Sequence, residues 1–260
     1  MTSERASQRA FLGVSALLFA ASATVTIVWC ASMSAMGGMP MPGGWTMSMA
    51  WMPMPGESRL GAAVSFLGMW IVMMLAMMSP SLVPMLSHYR QAVGSAGATR
   101  LGGLTALVAA GYLFVWTLLG TAVLPAGVAL ATLEMQSSAL SRAAPLAVGA
   151  VVLIAGALQF SAWKAHHLAC CRQSPAPGRT LPADAGTAWR HGLRLGLHCC
   201  YCCAGLTAIL LATGVMDLRA MAVVTAAITL ERLAPGGARV ARTVGAVIVW
   251  AGGFMIARAV

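Results

Sequence analysis

Six of the seven cysteines lie in two short clusters that also contain histidine. The clusters are HHLACC, residues 166–171, and HCCYCC, residues 198–203. Residues three or four apart share one face of an α-helix, so each cluster can present several ligands from a single turn. Thiolate and imidazole ligands together suit Cu(I) or Zn(II). We therefore predict a soft-metal site, preferably for copper, with ligands drawn from His166, His167, Cys170, Cys171, His198, Cys199, Cys202 and Cys203.

Both clusters are expected at helix ends that face the same compartment, so together they can close one site of three or four ligands. Arg172, Arg190 and Arg194 are near in sequence and favour the thiolate form of the cysteines. His88 ends the second apolar segment on the same side and is a further candidate ligand. The sequence alone leaves open whether the two clusters touch.

Methionine is unusually frequent, with 19 residues, and its thioether sulfur is also a ligand for Cu(I). In the second apolar segment, Met69, Met73 and Met77 are spaced by four, and Met74 and Met78 repeat this spacing on the adjacent face. The pattern is typical of helix packing and also fits a path of sulfur ligands across a bilayer. It makes Met73, Met77 and Met78 candidate metal ligands.

A second group of methionines lies in the segment 32–60, which also contains several glycines and prolines. This segment is too poor in core-forming residues to fold alone, and we expect a flexible loop on the outer side of the membrane. Two interpretations stay open. The loop either collects copper through its thioethers or lies on the membrane surface with the help of Trp45 and Trp51.

Two other functions compete with metal binding. Cys199 with Cys202, and Cys200 with Cys203, have the C-x-x-C spacing of a thiol–disulfide oxidoreductase. Cysteine also packs well in apolar helices, so the chain could be a structural subunit of a membrane complex. We favour metal binding because the cysteines are concentrated in two clusters with interleaved histidines, which neither packing nor redox chemistry requires.

The elements that must position these ligands are membrane-spanning helices. Of the 260 residues, 59% are hydrophobic and only 8% are charged, and several apolar stretches approach the roughly 20 residues that a spanning helix needs. The sequence predicts an all-α transmembrane bundle formed by a single domain, residues 1–260, with a flexible cytoplasmic loop at 172–192. About seven spans are expected, near residues 11–31, 62–86, 101–124 with an apolar continuation to 133, 145–163, 195–216, 220–233 and 244–257.

Lysine and arginine set the expected orientation. With a cytoplasmic N-terminus, 12 of the 16 basic residues fall on the inner side and 4 on the outer side, which follows the positive-inside rule. We therefore predict a multi-pass protein of the bacterial inner membrane, in contact with its lipids and with no role in nucleic-acid binding. The first span is interpreted as a retained anchor, although a signal peptide is the alternative. Glu231 is expected to pair with its neighbour Arg232.

Three segments carry a family resemblance. They are WIVMMLAMMSPSLVPM, LQFSAWKAHHLACCR and the stretch from GLRLGLHCCYCC to ITLERLAP, in this order between residues 70 and 235. The chain resembles a family of bacterial integral membrane proteins described as predicted metal-binding, domain of unknown function 2182. The residues that match the family pattern are Trp70, Met73, Met77, Met78, Pro80, Pro84, Gln159, Lys164, Cys171, Arg172, Cys199, Cys202, Cys203, Met216, Met221 and Glu231.

The chain departs from that pattern beside the second cysteine cluster, where Tyr201 replaces the usual glycine and Ala204 the usual tryptophan. The resemblance implies metal binding. Together with the residue pattern, the resemblance predicts a protein that binds, and transports or delivers, a soft metal ion. Copper as Cu(I) is favoured, and zinc is second. A metalloenzyme or metallochaperone is the expected partner. No nucleotide-binding motif of the Gly-rich lysine type is present, which argues against active pumping by this chain alone, and an enzymatic role is the less favoured one.

Overall fold

Capping side chains set the starts of the helices that carry the cysteines. Ser161 accepts a hydrogen bond from the backbone N–H of Lys164 at 3.1 Å, and Asp184 accepts one from Thr187 at 2.8 Å. These side chains replace the missing intrahelical partners of the first turn. The second of these helices ends at Gly214, whose φ of +132° is a conformation that other residues rarely adopt.

The computed structural model describes residues 2–35, 37–48, 51, 58–94, 97–173, 175 and 180–259. Within these residues the chain forms eight helices and one small two-stranded hairpin, which confirms the all-helical prediction. The helices are α1 (Thr2–Ala35), α2 (Arg59–Val93), α3 (Ala98–Gln136), α4 (Ser138–Leu158), α5 (Ala162–Arg172), α6 (Ala185–Thr213), α7 (Leu218–Leu233) and α8 (Gly237–Ala259), and the strands are β1 (Met39–Met41) and β2 (Trp45–Met47).

Six of the helices in the described part of the chain are long and apolar enough to cross a membrane, namely α1, α2, α3, α4, α6 and α8. The expected number of about seven is not confirmed. The difference lies in α7, whose 16 residues give a length of about 24 Å, less than the roughly 30 Å hydrocarbon core.

Two of the differences between predicted and observed boundaries affect the cysteine clusters. Helix α4 ends at Leu158 rather than near Trp163, and the chain turns before the separate short helix α5 begins. Helix α6 begins at Ala185, ten residues before its predicted start. The sequence from 185 to 194 is polar, so hydropathy alone does not mark it as part of the helix. As a result the second cysteine cluster lies in the middle of α6 and not at its end.

The outer surface of the bundle is largely apolar. Leu17 and Val28 of α1 are 72% and 63% exposed, and Trp250 of α8 is 72% exposed. An extended apolar surface on this scale is unfavourable in water and is compatible with lipid contact. By contrast, Lys164, Arg232 and several other charged or polar side chains are buried inside the bundle.

The methionine-rich segment forms an antiparallel hairpin in which Met39 pairs with Met47 and Met41 pairs with Trp45. The side chains of Met41 and Met47 are buried against Ala131 of α3. Part of the segment that we predicted as a loop therefore has regular structure and is packed on the bundle. Four of its methionines lie outside the described residues, namely Met36, Met49, Met52 and Met54.

Helices α3 and α6 pack closely because glycines lie in their contact. A Cβ atom at Gly111 would lie 3.0 Å from the carbonyl oxygen of Trp189, and a Cβ atom at Gly192 would overlap the backbone of Val108. Small residues let helices approach at backbone distance in a membrane. This contact holds the cysteines of α6 against α3.

We predict that Gly192→Ala destabilises the protein by about 1–3 kcal/mol, because the added methyl group forces the two helices apart. Thermal unfolding of the detergent-purified protein measures the effect. Gly103→Ala is the matched control, since a Cβ atom at Gly103 meets nothing within 4 Å. Equal melting temperatures for the two variants would contradict the close α3–α6 contact.

Candidate metal centre

Three buried thiols from two helices meet inside the bundle, and we call Cys171, Cys202 and Cys203 the thiol cluster. The Sγ atom of Cys171 in α5 lies 3.7 Å from that of Cys202 in α6, which lies 3.6 Å from that of Cys203. Each side chain is at most 2% exposed. Two sulfurs that bind one ion at about 2.3 Å are separated by about 4 Å, so this spacing suits a shared metal ion.

The fourth predicted thiol, Cys199, lies one helical turn before the thiol cluster. Its Sγ atom is 2.9 Å from the hydroxyl of Tyr112 in α3, and both side chains are fully buried. The thiol of Cys202 donates a hydrogen bond to the carbonyl of Cys199 at 3.4 Å. Cys199 is thus held beside the thiol cluster by a hydrogen bond to a neighbouring helix.

Arg232 of α7 places a positive charge on the thiol cluster. Its Nη2 atom lies 3.7 Å from the sulfur of Cys171, 3.5 Å from that of Cys202 and 3.7 Å from that of Cys203. Its Nη1 atom donates a hydrogen bond to Ser81 of α2 at 3.0 Å. A buried guanidinium at this distance stabilises the thiolate form, which is the form that binds metal.

The expected ion pair between Glu231 and Arg232 is wrong. Successive helical residues point about 100° apart, so Glu231 and Arg232 contact different groups. The carboxylate of Glu231 instead pairs with Lys164 of α5 at 2.6 Å and accepts a hydrogen bond from the amide of Gln159 at 3.0 Å. Lys164 also donates to the backbone carbonyl of Cys202. This network joins α5, α6 and α7 directly beneath the thiol cluster.

The buried cations Lys164 and Arg232 therefore have different partners. Glu231 neutralises Lys164, and both side chains are nearly inaccessible. Arg232 contacts the three sulfurs and the neutral hydroxyl of Ser81. A buried charge without an opposite charge is costly, so the charge of Arg232 favours a negative charge on the thiol cluster.

Among the described residues, no three His, Cys, Asp or Glu side chains form a ready-made metal site. In the thiol cluster, Arg232 Nη2 is nearly equidistant from the three sulfurs and so covers one face. Binding of an ion therefore requires entry from another side or a movement of Arg232. The donor atoms themselves, three thiols at metal-compatible spacing, fit a soft ion.

The predicted histidine ligands come together at a separate place on the same two helices. The Nδ1 atoms of His167 in α5 and His198 in α6 are 3.1 Å apart, and the sulfur of Cys170 is 3.7 Å from Nε2 of His166. These side chains are half-buried or exposed. Burial and the neighbouring imidazoles of His198 and His166 lower the pKa of His167. The neutral ring that results is the form that binds metal.

The remaining candidate ligands are not brought to the cysteines by any described contact. His88 is exposed near the end of α2, where no hydrogen bond, ion pair or ring contact is described for it. Met73, Met77 and Met78 are buried in the continuous apolar core that also contains the thiols. The link from α2 to the thiol cluster runs through Ser81, which donates to the carbonyl of Met78 and accepts from Arg232.

Comparison with known families decides the class of metal. Residues 67–255 match the family described as PpoB2, copper chaperone. The chain belongs to this copper chaperone family. No curated protein and no solved structure matches the chain significantly. The match begins within α2 and includes the thiol cluster, the histidines and Arg232, whereas α1 and the methionine hairpin lie outside it.

The sequence did not predict three residues around the sulfurs of this copper chaperone family member. Arg232 and Tyr112 contact the sulfurs directly, and Ser81 accepts a hydrogen bond from Arg232. One signal was available for Arg232. An ionisable residue within an apolar helix of a membrane protein is by default a candidate for function. No comparable signal exists for Tyr112 or Ser81, since both lie in ordinary apolar helices and are selected only by the way the helices pack.

We predict that Arg232→Met weakens Cu(I) binding by about 10- to 100-fold, which corresponds to the roughly 1.5–3 kcal/mol of a hydrogen bond to a charged group. Titration of the purified protein with a Cu(I) chelator as competitor gives the affinity. Arg232→Lys retains the charge, and its Cu(I) affinity is expected to lie between those of the unchanged protein and Arg232→Met. An unchanged affinity for Arg232→Met would show that the cation does not support the thiolates.

We expect Glu231→Gln to lower stability by about 3–5 kcal/mol, because it leaves Lys164 charged and buried without its anion. Thermal unfolding in detergent provides the readout. The double variant Lys164→Met/Glu231→Gln removes both charges and is expected to recover part of the loss. If the loss of stability in the double variant equals the sum of the losses in Glu231→Gln and Lys164→Met, the two side chains are not energetically coupled.

Proposed function

We propose that the protein is a multi-pass protein of the bacterial inner membrane that carries Cu(I) and delivers it to a metalloenzyme or metallochaperone. The ion binds to Cys171, Cys202 and Cys203. The observation that carries this proposal is the meeting of three buried thiols, from two different helices and at metal-compatible spacing, in a chain of a copper chaperone family. Copper is the cargo of the protein and leaves with the acceptor.

Charge balance is compatible with a monovalent soft ion at this position. Two thiolates from the thiol cluster would neutralise Arg232 and one Cu(I) together. The neighbouring pair of Lys164 and Glu231 is already neutral. A neutral assembly avoids the desolvation cost of a net charge inside the bundle. Zinc is less suited, since structural zinc sites use four ligands and Arg232 covers one face of the three thiols.

A large cavity offers a way for copper to enter. It has a volume of about 1460 Å³ and opens beside the methionine hairpin. Thioethers of four methionines line it, and it extends to Ala208 of α6. Ala208 is five residues, or about 7.5 Å, from Cys203 along the helix. Thioethers remain ligands for Cu(I) where thiols would be oxidised, which suits the outer side of a membrane. The lining methionines are Met33, Met47, Met216 and Met255.

The orientation of this route follows from the distribution of basic residues. With the N-terminus in the cytoplasm, the cavity faces outward and copper moves inward. The buried methionines Met73, Met77 and Met78 of α2 lie in the same core as the thiols and provide further sulfur ligands inside the bundle. In this proposal the serine–arginine link between α2 and the thiol cluster marks the inner end of the route.

The geometry gives the thiol–disulfide oxidoreductase no support of its own. All seven cysteines are free. The described contacts between thiols join Cys171 to Cys202, Cys202 to Cys203 and Cys199 to Cys203, and none of them is a C-x-x-C pair. The oxidoreductase function predicts reversible loss of free thiols without bound copper, and a copper titration separates it from copper binding.

We expect the reduced, detergent-purified protein to bind one Cu(I) tightly, and Cys202→Ser to weaken this binding by at least about 100-fold, since even changes beyond the ligands typically cost 10- to 100-fold. Anaerobic competition with a chromophoric Cu(I) chelator measures both. Cys200→Ser is the matched control because Cys200 lies in the same helical turn but outside the thiol cluster.

Equal copper affinity for Cys202→Ser and the unchanged protein would refute the thiol site. If the protein binds no Cu(I) but its free thiols disappear reversibly on oxidation, the oxidoreductase function is supported instead. Loss of binding in both Cys202→Ser and Cys200→Ser would contradict the placement of Cys200 outside the site.

A further inference from the structure

Two sets of metal-binding side chains lie back to back on α5 and α6. Cys171 and Cys199 face inward and are fully buried, whereas the residue immediately before each of them, Cys170 and His198, is only half-buried. Successive residues point about 100° apart on a helix, so the same contact between two helices presents one set of ligands to the interior and another to the surface. We call His166, His167, Cys170 and His198 the imidazole cluster.

The core of the imidazole cluster is a pair of nitrogens from different helices. Nδ1 of His167 and Nδ1 of His198 are 3.1 Å apart, although the residues are 31 positions apart in sequence. An ion that binds histidine nitrogen does so at about 2.0–2.1 Å, so both atoms can bind one ion with an angle of about 100° between them. This angle lies close to that of tetrahedral coordination.

A second pair of ligands lies on the adjoining turn of α5. The sulfur of Cys170 is 3.7 Å from Nε2 of His166, and the rings of His166 and His167 are 5.1 Å apart. The pair is more exposed than the nitrogens of the core, so its side chains can rotate. Cys170 and His166, which lie within one turn of His167 on α5, are the candidates for a third ligand of an ion on His167 and His198.

Aromatic rings hold the central histidine in place. The ring of His167 is 5.0 Å from that of Trp163 and 4.9 Å from that of Tyr201. These contacts restrict the rotation of His167 and shield one side of it from water. A ligand whose orientation is fixed before the ion arrives loses less entropy on binding.

We propose that the imidazole cluster is a second, weaker Cu(I) site, which exchanges the ion between the buried thiol cluster and a partner at the surface. The inference rests on the proposed function for the origin of its copper. Imidazole nitrogens and one thiol make this site less soft than three thiols, so the ion binds here less tightly and is released more readily. The half-exposed position makes the site accessible to a ligand from a partner.

The test is a Cu(I) titration of the full-length protein in detergent, under reducing and anaerobic conditions, with chelators of two strengths. We expect two equivalents, of which the weaker is removed in His167→Asn/His198→Asn and the tighter is retained. His88→Asn is the matched control, since His88 is an exposed histidine of α2 outside the cluster. X-ray absorption of the second equivalent is expected to show nitrogen ligands, and these are lost in the double variant.

A second variant separates this inference from the proposed function. Cys171→Ser/Cys202→Ser/Cys203→Ser removes the thiol cluster and is expected to retain only the weaker equivalent. If the unchanged protein binds a single tight equivalent that disappears in this variant, the thiol site stands and the imidazole site is refuted. A weaker equivalent that persists in His167→Asn/His198→Asn also refutes it. If the cysteine variant does not fold, the double histidine variant alone decides, because its thiol cluster is intact.

Discussion

The constraint on which the rest of the centre depends is a buried positive charge whose described partners are three sulfurs and one hydroxyl. Arg232 cannot lose its proton in a protein, and its burial must be offset. The nearby carboxylate is already engaged by Lys164. The charge of Arg232 therefore favours one negative charge on the thiol cluster, and the guanidinium is in place before any metal arrives. Four helices supply these groups and meet at this point, namely α2 and the three consecutive helices α5, α6 and α7.

The long and the short helices contribute different parts of the centre. The long helices α2, α3 and α6 provide a rigid frame, and glycine contacts bring α6 close to α3. The short helices α5 and α7 contribute the most polar groups, Cys171, Lys164, Glu231 and Arg232. Short helices surrounded by longer ones can place charges deep in an apolar bundle without exposing them to lipid. The cost of burying these charges is offset by the ion pair and by the sulfur contacts.

Much of this architecture could be predicted from the sequence because hydropathy marks the long helices. Apolar runs mark five of the six candidate spans to within about seven residues at each end, and the four-residue spacing of the cysteines indicates which of them share a face. The polar first turns of α6 and the break after α4 were missed, because capping by Ser161 and Asp184 is a local signal that hydropathy does not contain. The role of Arg232 was missed for a different reason. Its neighbour Glu231 offered a plausible partner in sequence, and only the packing of α5 against α7 shows that Lys164 takes it.

The near-complete burial of the thiol cluster also bears on its chemical lifetime. Conversion of a thiolate to a sulfenic acid, or its capping by glutathione, requires that the oxidant or the second thiol reach the sulfur. At no more than 2% exposure, Cys171, Cys202 and Cys203 are poorly accessible to both reagents. Their reduced state is then protected kinetically by the packing of the bundle. Oxidation of these three cysteines is therefore expected to be slower than that of Cys170 and Cys200, which are only half-buried.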